Sequence, residues 1–202
     1  KGELQTESDN YGSFYFKTQT VPGGATLQKV VLSDGEEVRL IDGLYPQHVH
    51  AIKPGVIIVS DIDDTLLHSH IYKKILKFRT LMFTTVEKRR AVSNMQELLQ
   101  NFSDSGAACF YLSNSEQNLY PLIYRFMLHN NFPNGPLFLK KMRGLLDVLM
   151  NIKFPLKNIH KQKMLEEVLE LFPEKDFVLL GDNTQHDLPI YLDVADKFPK
   201  NI

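Results

Sequence analysis

The chain has 202 residues, 43% hydrophobic and 23% charged, which is enough to bury a real core and too apolar for a disordered segment. A formal net charge of -1 and a pI near 6.7 exclude a nucleic-acid binder that works through bulk positive charge. The single cysteine, Cys109, excludes an internal disulfide, and its neighbours in GAACFYL predict a small buried residue in a strand. There is no uninterrupted apolar run of about 18 residues, the length a membrane span needs. The opening KGELQTESDN lacks the apolar stretch of a signal peptide, so a soluble, cytoplasmic chain is expected, with an abrupt start compatible with a trimmed N-terminus.

In chain order, YGSFYFKT comes first, with Phe14 and Phe16 alternating against Ser13, Tyr15 and Lys17. Next, TLQKVVLSDGEEVRLIDG predicts two strands around a turn at Ser33-Asp34-Gly35. A sheet of so few strands is marginal by itself, so residues 1–50 are expected to be a small β-rich annex, or the end of a larger β domain. From residue 51 to 202 the pattern changes. Short apolar runs, VIIVS, ACFYLS, LFLK and FVLLGD, are separated by longer helical stretches. Strands alternating with helices predict an α/β fold, a parallel sheet flanked by helices whose strands read as near-continuous apolar runs. No internal repeat or low-complexity tract interrupts it.

Ligands of open α/β sheets bind outside the carboxyl ends of the strands, so residues just after each apolar run share one rim. Asp61 and Asp63 follow the first run, Ser113 and Asn114 the second, and Asp182 the last. A single polar residue after a strand is ordinarily a turn or a helix cap; several at one rim suggest a site. Asp61, Asp63 and Asp64 within four residues repel one another and are costly to desolvate unless a cation sits beside them. An EF-hand is excluded, because the fifth, sixth and twelfth positions counted from Asp61 are Thr65, Leu66 and Tyr72. Mg²⁺ with a substrate phosphate fits better: it is usually held by one or two carboxylates, here Asp61 and Asp182, and keeps several waters. The spacing also suits covalent phosphoryl transfer, with Asp61 as nucleophile and Asp63, two residues on, protonating the leaving oxygen and later activating water.

DIDDT, YLSNS, a helix lysine and GDNTQHD resemble the four ordered motifs of the haloacid dehalogenase superfamily of phosphatases, whose Rossmann-like parallel sheet is then the expected core. That resemblance implies Asp61 as nucleophile and Asp63 as acid and base. It implies phosphate binding by Thr65, Ser113, Asn114 and Lys161, and a Mg²⁺ site of Asp61, Asp63, Asp182 and Asp187. HKQKMLEEVLELFP predicts a helix with Met164, Leu165, Val168, Leu169 and Phe172 on its apolar side. Lys161 and Lys163 both lie near its start, where a cation opposes the helix dipole; the resemblance, whose lysine stands at this spacing from the following Phe-Pro, implies Lys161, with Lys163 as the alternative.

A narrower resemblance spans nearly the whole chain. DIDDT, FYLSNSEQNLYPLI, FPNGPLFLK, HKQKMLEEVLELFP and FVLLGDNTQHDLPIY are similar to the App1-type phosphatidate phosphatase catalytic domain, in which a β-sandwich-like region precedes the phosphatase domain. The resemblance implies Mg²⁺-dependent conversion of phosphatidate to diacylglycerol. This chain departs from the family's common pattern at Glu116-Gln117, at Asp182-Asn183-Thr184 and at Asp187-Leu188-Pro189, all bordering the expected site. The chemistry of the four motifs survives these changes, whereas the substrate is less tightly specified by them. A phosphatase of a soluble or protein phosphomonoester is the second reading, and a silent lipid-binding or scaffold module the third, disfavoured by intact Asp61, Asp63 and Asp182.

A lipid substrate has one separate sign. Between Ser69 and Val92, Lys73, Lys74, Lys77, Arg79, Lys88, Arg89 and Arg90 face Glu87 alone, and Ile71, Ile75, Phe78 and Met82 recur at helical spacing. Such a segment suits peripheral contact with an anionic membrane. A helix packing its apolar stripe on the sheet, with a solvated basic face, has the same pattern. His68, His70, the NFPNG stretch and Tyr191 acquire no role from their chemistry, and nothing in the sequence sets an oligomeric state.

Overall fold

A computed structural model describes residues 3–8, 16, 25–40, 48–49, 55–62, 93–140, 157–181 and 187–202. Its described residues fall into two compact units, one within Lys1–Ile52 and the other within Lys53–Lys141 and Lys153–Ile202.

The first unit contains two short antiparallel ladders. β1 (Ala25–Thr26) pairs with β4 (His48–Val49), and β2 (Val30–Val31) pairs with β3 (Glu37–Val38). The β2–β3 turn is the one expected at Ser33-Asp34-Gly35. Asp34 Oδ1 accepts the Glu36 N–H at 2.9 Å, and the Leu32 carbonyl accepts the Gly35 N–H at 3.0 Å, so the side chain and backbone of the turn satisfy it locally. The YGSFYFKT alternation lies outside the described residues except for Phe16.

The second unit is α/β. β5 (Ile57–Asp61), β6 (Ala108–Glu116), β7 (Leu137–Lys140) and β8 (Phe177–Leu180) form a four-stranded sheet in the order β7-β6-β5-β8, parallel throughout. The four apolar runs picked out in the sequence are these four strands. Among the described residues four α-helices alternate with these strands: α1 (Ser93–Asp104), α2 (Tyr120–His129), α3 (Lys157–Leu171) and α4 (Asp187–Lys197).

Alternation along β5 sorts its side chains between two layers. Ile58 and Ile62 join Cys109 and Tyr111 of β6 in a core with Leu99 of α1 and Ile123, Phe126 and Met127 of α2. On the opposite face, Phe110 meets the Phe172 ring edge-on at 5.8 Å just past α3, beneath which Leu165, Val168 and Leu169 are buried. Phe110 is the register partner of Val59, so Ile57, Val59 and Asp61 belong to the α3 face. Cys109 is buried as expected, and burial pushes its thiol up to about 11, which makes it inert. The NFPNG stretch is structural: the Tyr111 hydroxyl donates to the Pro133 carbonyl at 2.7 Å, and a Cβ on Gly135 would stand 1.7 Å from the Cys109 carbonyl oxygen.

From β5 the chain steps outward through β6 and β7, then returns to place β8 on the other side of β5. That reversal is the topological switch point of the sheet, and the crevice beyond the carboxyl ends of β5 and β8 is where such folds bind ligands.

Candidate functional site

Asp61 is the last residue of β5, and Asp187 opens α4 after β8. They therefore flank the switch point. Lys161, one turn into α3, reaches between them: its Nζ lies 2.7 Å from Asp61 Oδ1 and 2.6 Å from Asp187 Oδ1. All three residues are buried, with 2%, 3% and 2% of Asp61, Asp187 and Lys161 exposed. α3 begins at Lys157, three residues before the predicted HKQK start, so Lys161 stands beyond the first turn. Lys163 is exposed on the same helix, as expected for positions two apart, about 200° around the axis. The apolar stripe Leu165, Val168 and Leu169 fixes which side of α3 faces the sheet, and Lys161 is carried inward at its rim end.

Burying an ammonium lowers its pKa. Here the charges of Asp61 and Asp187 and the hydrogen bonds to both outweigh that penalty, and the Lys161 pKa is raised above its ordinary 10.5. Lysine has three N–H donors; Asp61 and Asp187 take two, leaving one for an anionic ligand at the rim. Two carboxylates share this one ammonium.

Ser113 is also buried, but it lies within β6 rather than after it. The strand continues through a bulge. Between the pairs Leu112–Phe138 and Glu116–Lys140, β6 advances four residues and β7 two. Ser113 to Ser115 thus stand against Leu139 alone, two residues in excess, and the Ser113 Oγ accepts the Ser115 N–H at 2.9 Å within the bulge. Bulges re-aim side chains beside sites. Asp61 is the register partner of Leu112, which brings Ser113 and Asn114 to the rim next to the carboxylate. Asp63, Thr65, Asp182 and the basic segment 69–92 lie outside the described residues.

Three contributors to this rim were not foreseen from the sequence. Tyr191 of α4 donates its hydroxyl to the Leu180 carbonyl at 3.2 Å, and Lys161 Nζ lies 5.9 Å from the centre of its ring. Gly181 is the close approach that permits this: a Cβ there would stand 2.8 Å from Asp187 Oδ2 and from the Tyr191 hydroxyl. His160 is half-buried beside Lys161, and its pKa is lowered from 6.5 by burial and by the charge of Lys140 at the end of β7. The spacing of Asp187 and Tyr191, one helical turn apart, was the signal that could have found the tyrosine.

Asp61 and Asp187 offer hard carboxylate oxygens of the kind Mg²⁺ takes, and among the described residues no group of three or more His, Cys, Asp or Glu side chains is placed to hold a metal ion. No described helix is long and apolar enough to cross a membrane.

Comparison with known proteins follows the same boundaries. The chain is 28% identical over 200 residues to Phosphatidate phosphatase APP1 of Saccharomyces cerevisiae, covering 96% of this chain and 33% of that one. It is 25% identical over 178 residues to the uncharacterized protein C29B5.04c of Schizosaccharomyces pombe, covering 88% of this chain and 29% of that one. It thus spans about a third of the length of these relatives. Among solved structures, a chain of the Pnkp1/Rnl/Hen1 complex aligns with 65% of this chain and 48% of its own length at a TM-score of 0.43 and 14% identity. The family model for the phosphatidate phosphatase APP1 catalytic domain matches residues 56–202, from the start of the parallel sheet to the last residue, and the chain belongs to that family.

Proposed function

We propose that this chain is a phosphatase that hydrolyses phosphatidate to diacylglycerol and inorganic phosphate through a phosphorylated Asp61. The observation that carries the reading is the buried Asp61–Lys161–Asp187 group at the switch point of a parallel sheet. A buried ion group of this kind is costly to desolvate and stabilises a fold poorly. It suits a site where a dianionic phosphate must be held and displaced.

In the first step a carboxylate oxygen of Asp61 attacks phosphorus, and the ester oxygen leaves with its electron pair, taking a proton from Asp63. In the second, Asp63 removes a proton from water, the water oxygen attacks the same phosphorus, and the Asp61 carboxylate departs from inorganic phosphate. The free donor of Lys161 binds a phosphate oxygen, helped by Ser113, Asn114 and Thr65. The Lys161 bond to Asp61 Oδ1 fixes the carboxylate in one orientation, which is worth rate because the reacting atoms start aligned. Asp61, Asp63, Asp182 and Asp187 would hold Mg²⁺, which supplies positive charge against the phosphate oxygens.

The activity for which the family is named supports phosphatidate as substrate, and the basic apolar segment 69–92 supports peripheral contact with an anionic membrane from the cytoplasmic side. Residues 51–202 are read as the catalytic domain and 1–50 as a β annex. A haloacid dehalogenase-like ancestry fits the sheet order and the four motifs.

Phosphate release from phosphatidate vesicles and from a panel of soluble phosphomonoesters, each with Mg²⁺ and with chelator, tests this. Turnover of phosphatidate that chelator abolishes is expected. Turnover of soluble esters alone would replace the substrate, and full activity of metal-free protein would remove the metal.

A further inference from the structure

We infer that Tyr191 is a positioning residue whose ring, packed beside the Lys161 ammonium, holds it against Asp61 and Asp187 so that its remaining donor stays directed at the rim. The reading of the site as a phosphoryl-transfer centre underlies only the kinetic arm of the test below; the structural arm stands without it.

Four observations converge. First, two of the three Lys161 donors are directed at Asp61 Oδ1 and Asp187 Oδ1, and the tetrahedral nitrogen then fixes the direction of the third, so whatever keeps the ammonium in place also keeps that donor in place. Second, the Tyr191 ring lies within the range of a cation–π contact, at 5.9 Å, and Lys161 is 2% exposed, so the ring face stands where water would otherwise solvate the charge. Third, the ring is itself fixed: its hydroxyl donates to the Leu180 carbonyl at 3.2 Å, and the backbone at Gly181 comes so near that a Cβ would be 2.8 Å from Tyr191 Cε2. Fourth, Asp187 and Tyr191 stand one turn apart on α4, so one helix presents both the acceptor and the ring to the same lysine.

A phenylalanine keeps the ring face and loses the hydroxyl with its bond to the Leu180 carbonyl. Methionine and leucine keep apolar bulk and lose the π face. The three therefore separate the ring's effect on Lys161 from filling space. A tyrosine that merely packs would be replaced as well by methionine as by phenylalanine.

The structural readout is the ¹⁵N-lysine ammonium spectrum of the whole chain at neutral pH, with the Lys161 signal assigned by its loss in Lys161→Met. Exposed ammonium groups exchange protons with water too fast to be seen, whereas one held by two carboxylates and a ring gives a sharp signal. Tyr191→Phe is expected to keep the Lys161 signal. Tyr191→Met and Tyr191→Leu should broaden it beyond detection while unfolding cooperatively. With p-nitrophenyl phosphate and Mg²⁺, the same two variants should lose about tenfold in kcat with KM within about threefold, and Tyr191→Phe should stay within about threefold of the parent in both. If the parent does not turn over this ester, the proposed reaction is wrong, while the spectrum still decides the role of Tyr191. A Lys161 signal equally sharp in Tyr191→Met overturns the inference, as does Tyr191→Phe failing as badly as Tyr191→Met. If Met and Leu both unfold, the ring is a core residue, and the inference likewise falls.

Discussion

Helices α3 and α4 are bridged twice by ion pairs, and the two bridges have the same chemistry in opposite surroundings. At the rim, Lys161 of α3 joins Asp187 of α4 at 2.6 Å with both side chains almost wholly buried and Asp61 drawn in as a third member. Farther along, Glu166 of α3 meets Lys197 of α4 at 2.5 Å with Lys197 54% exposed. The exposed pair is screened by water and salt and adds little to stability. The buried group must be desolvated, so it is an inefficient way to hold two helices that already pack together and bury Leu165, Val168 and Leu169 on one and Ile190 and Val194 on the other. The difference teaches that burial of charge here follows the switch point of the sheet, the place where open α/β sheets bind ligands, and not the helix interface.

The most severe way to break that contrast is Lys161→Met. It removes the buried ammonium that Asp61 and Asp187 share, and urea unfolding should show a loss of about 3–5 kcal/mol. The sign of the pH effect follows from the raised Lys161 pKa. The ammonium's contribution is fully present below its ordinary 10.5 and is lost as pH rises through the higher folded-state value, so the parent's alkaline loss of stability should be reduced in the variant. A variant as stable as the parent at neutral pH would mean the buried group is already compensated by other charges.

Gly181→Ala disturbs the same end without altering its charge. The new Cβ would meet Asp187 Oδ2 and Tyr191, and overpacking of this kind costs about 1–3 kcal/mol. Thermal unfolding measures it, and an unchanged melting temperature would show that α4 shifts freely.

A smaller effect, confined to acid pH, is expected at His160. Its folded-state pKa is depressed by burial and by Lys140, so the unfolded chain binds the proton first; its contribution is present above about 6.5 and is lost as pH falls through the depressed value. His160→Gln should flatten the acid side of the stability–pH curve while leaving stability above pH 7 nearly unchanged. Retention of the parent's acid slope would assign that slope to other groups. Least of all, Glu166→Gln should cost only about 0.2–1 kcal/mol, vanishing in high salt. A cost as large as that of Lys161→Met would erase the distinction between the two bridges.

Much of this was legible in the sequence, for physical reasons. VIIVS, ACFYLS, LFLK and FVLLGD announce themselves because strands of a parallel sheet are covered on both faces and are apolar throughout. The turn at Asp34-Gly35 was legible because its chemistry is local. Lys161 was separated from Lys163 only by motif spacing; the physical separation, burial of one and exposure of the other, depends on where α3 begins and which stripe it turns to the sheet. The bulge that keeps Ser113 inside β6 left no mark, since a register shift is a property of two strands and not of one segment. Tyr191 and Gly181 were passed over because their roles arise from a close approach between β8 and α4 that no single run of residues encodes.

The central claim, that Asp61 is the nucleophile, is tested most directly by trapping. The parent protein, mixed with its phosphomonoester and Mg²⁺ and quenched into borohydride, should yield homoserine in place of Asp61 by peptide mass spectrometry, because an acyl phosphate is reduced and a free carboxylate is not. Asp61→Asn, which nearly preserves size, should lose about 10³-fold or more in turnover with its fold intact. Unmodified Asp61 during turnover, together with near-normal hydrolysis by Asp61→Asn, would contradict the claim and move the nucleophile elsewhere.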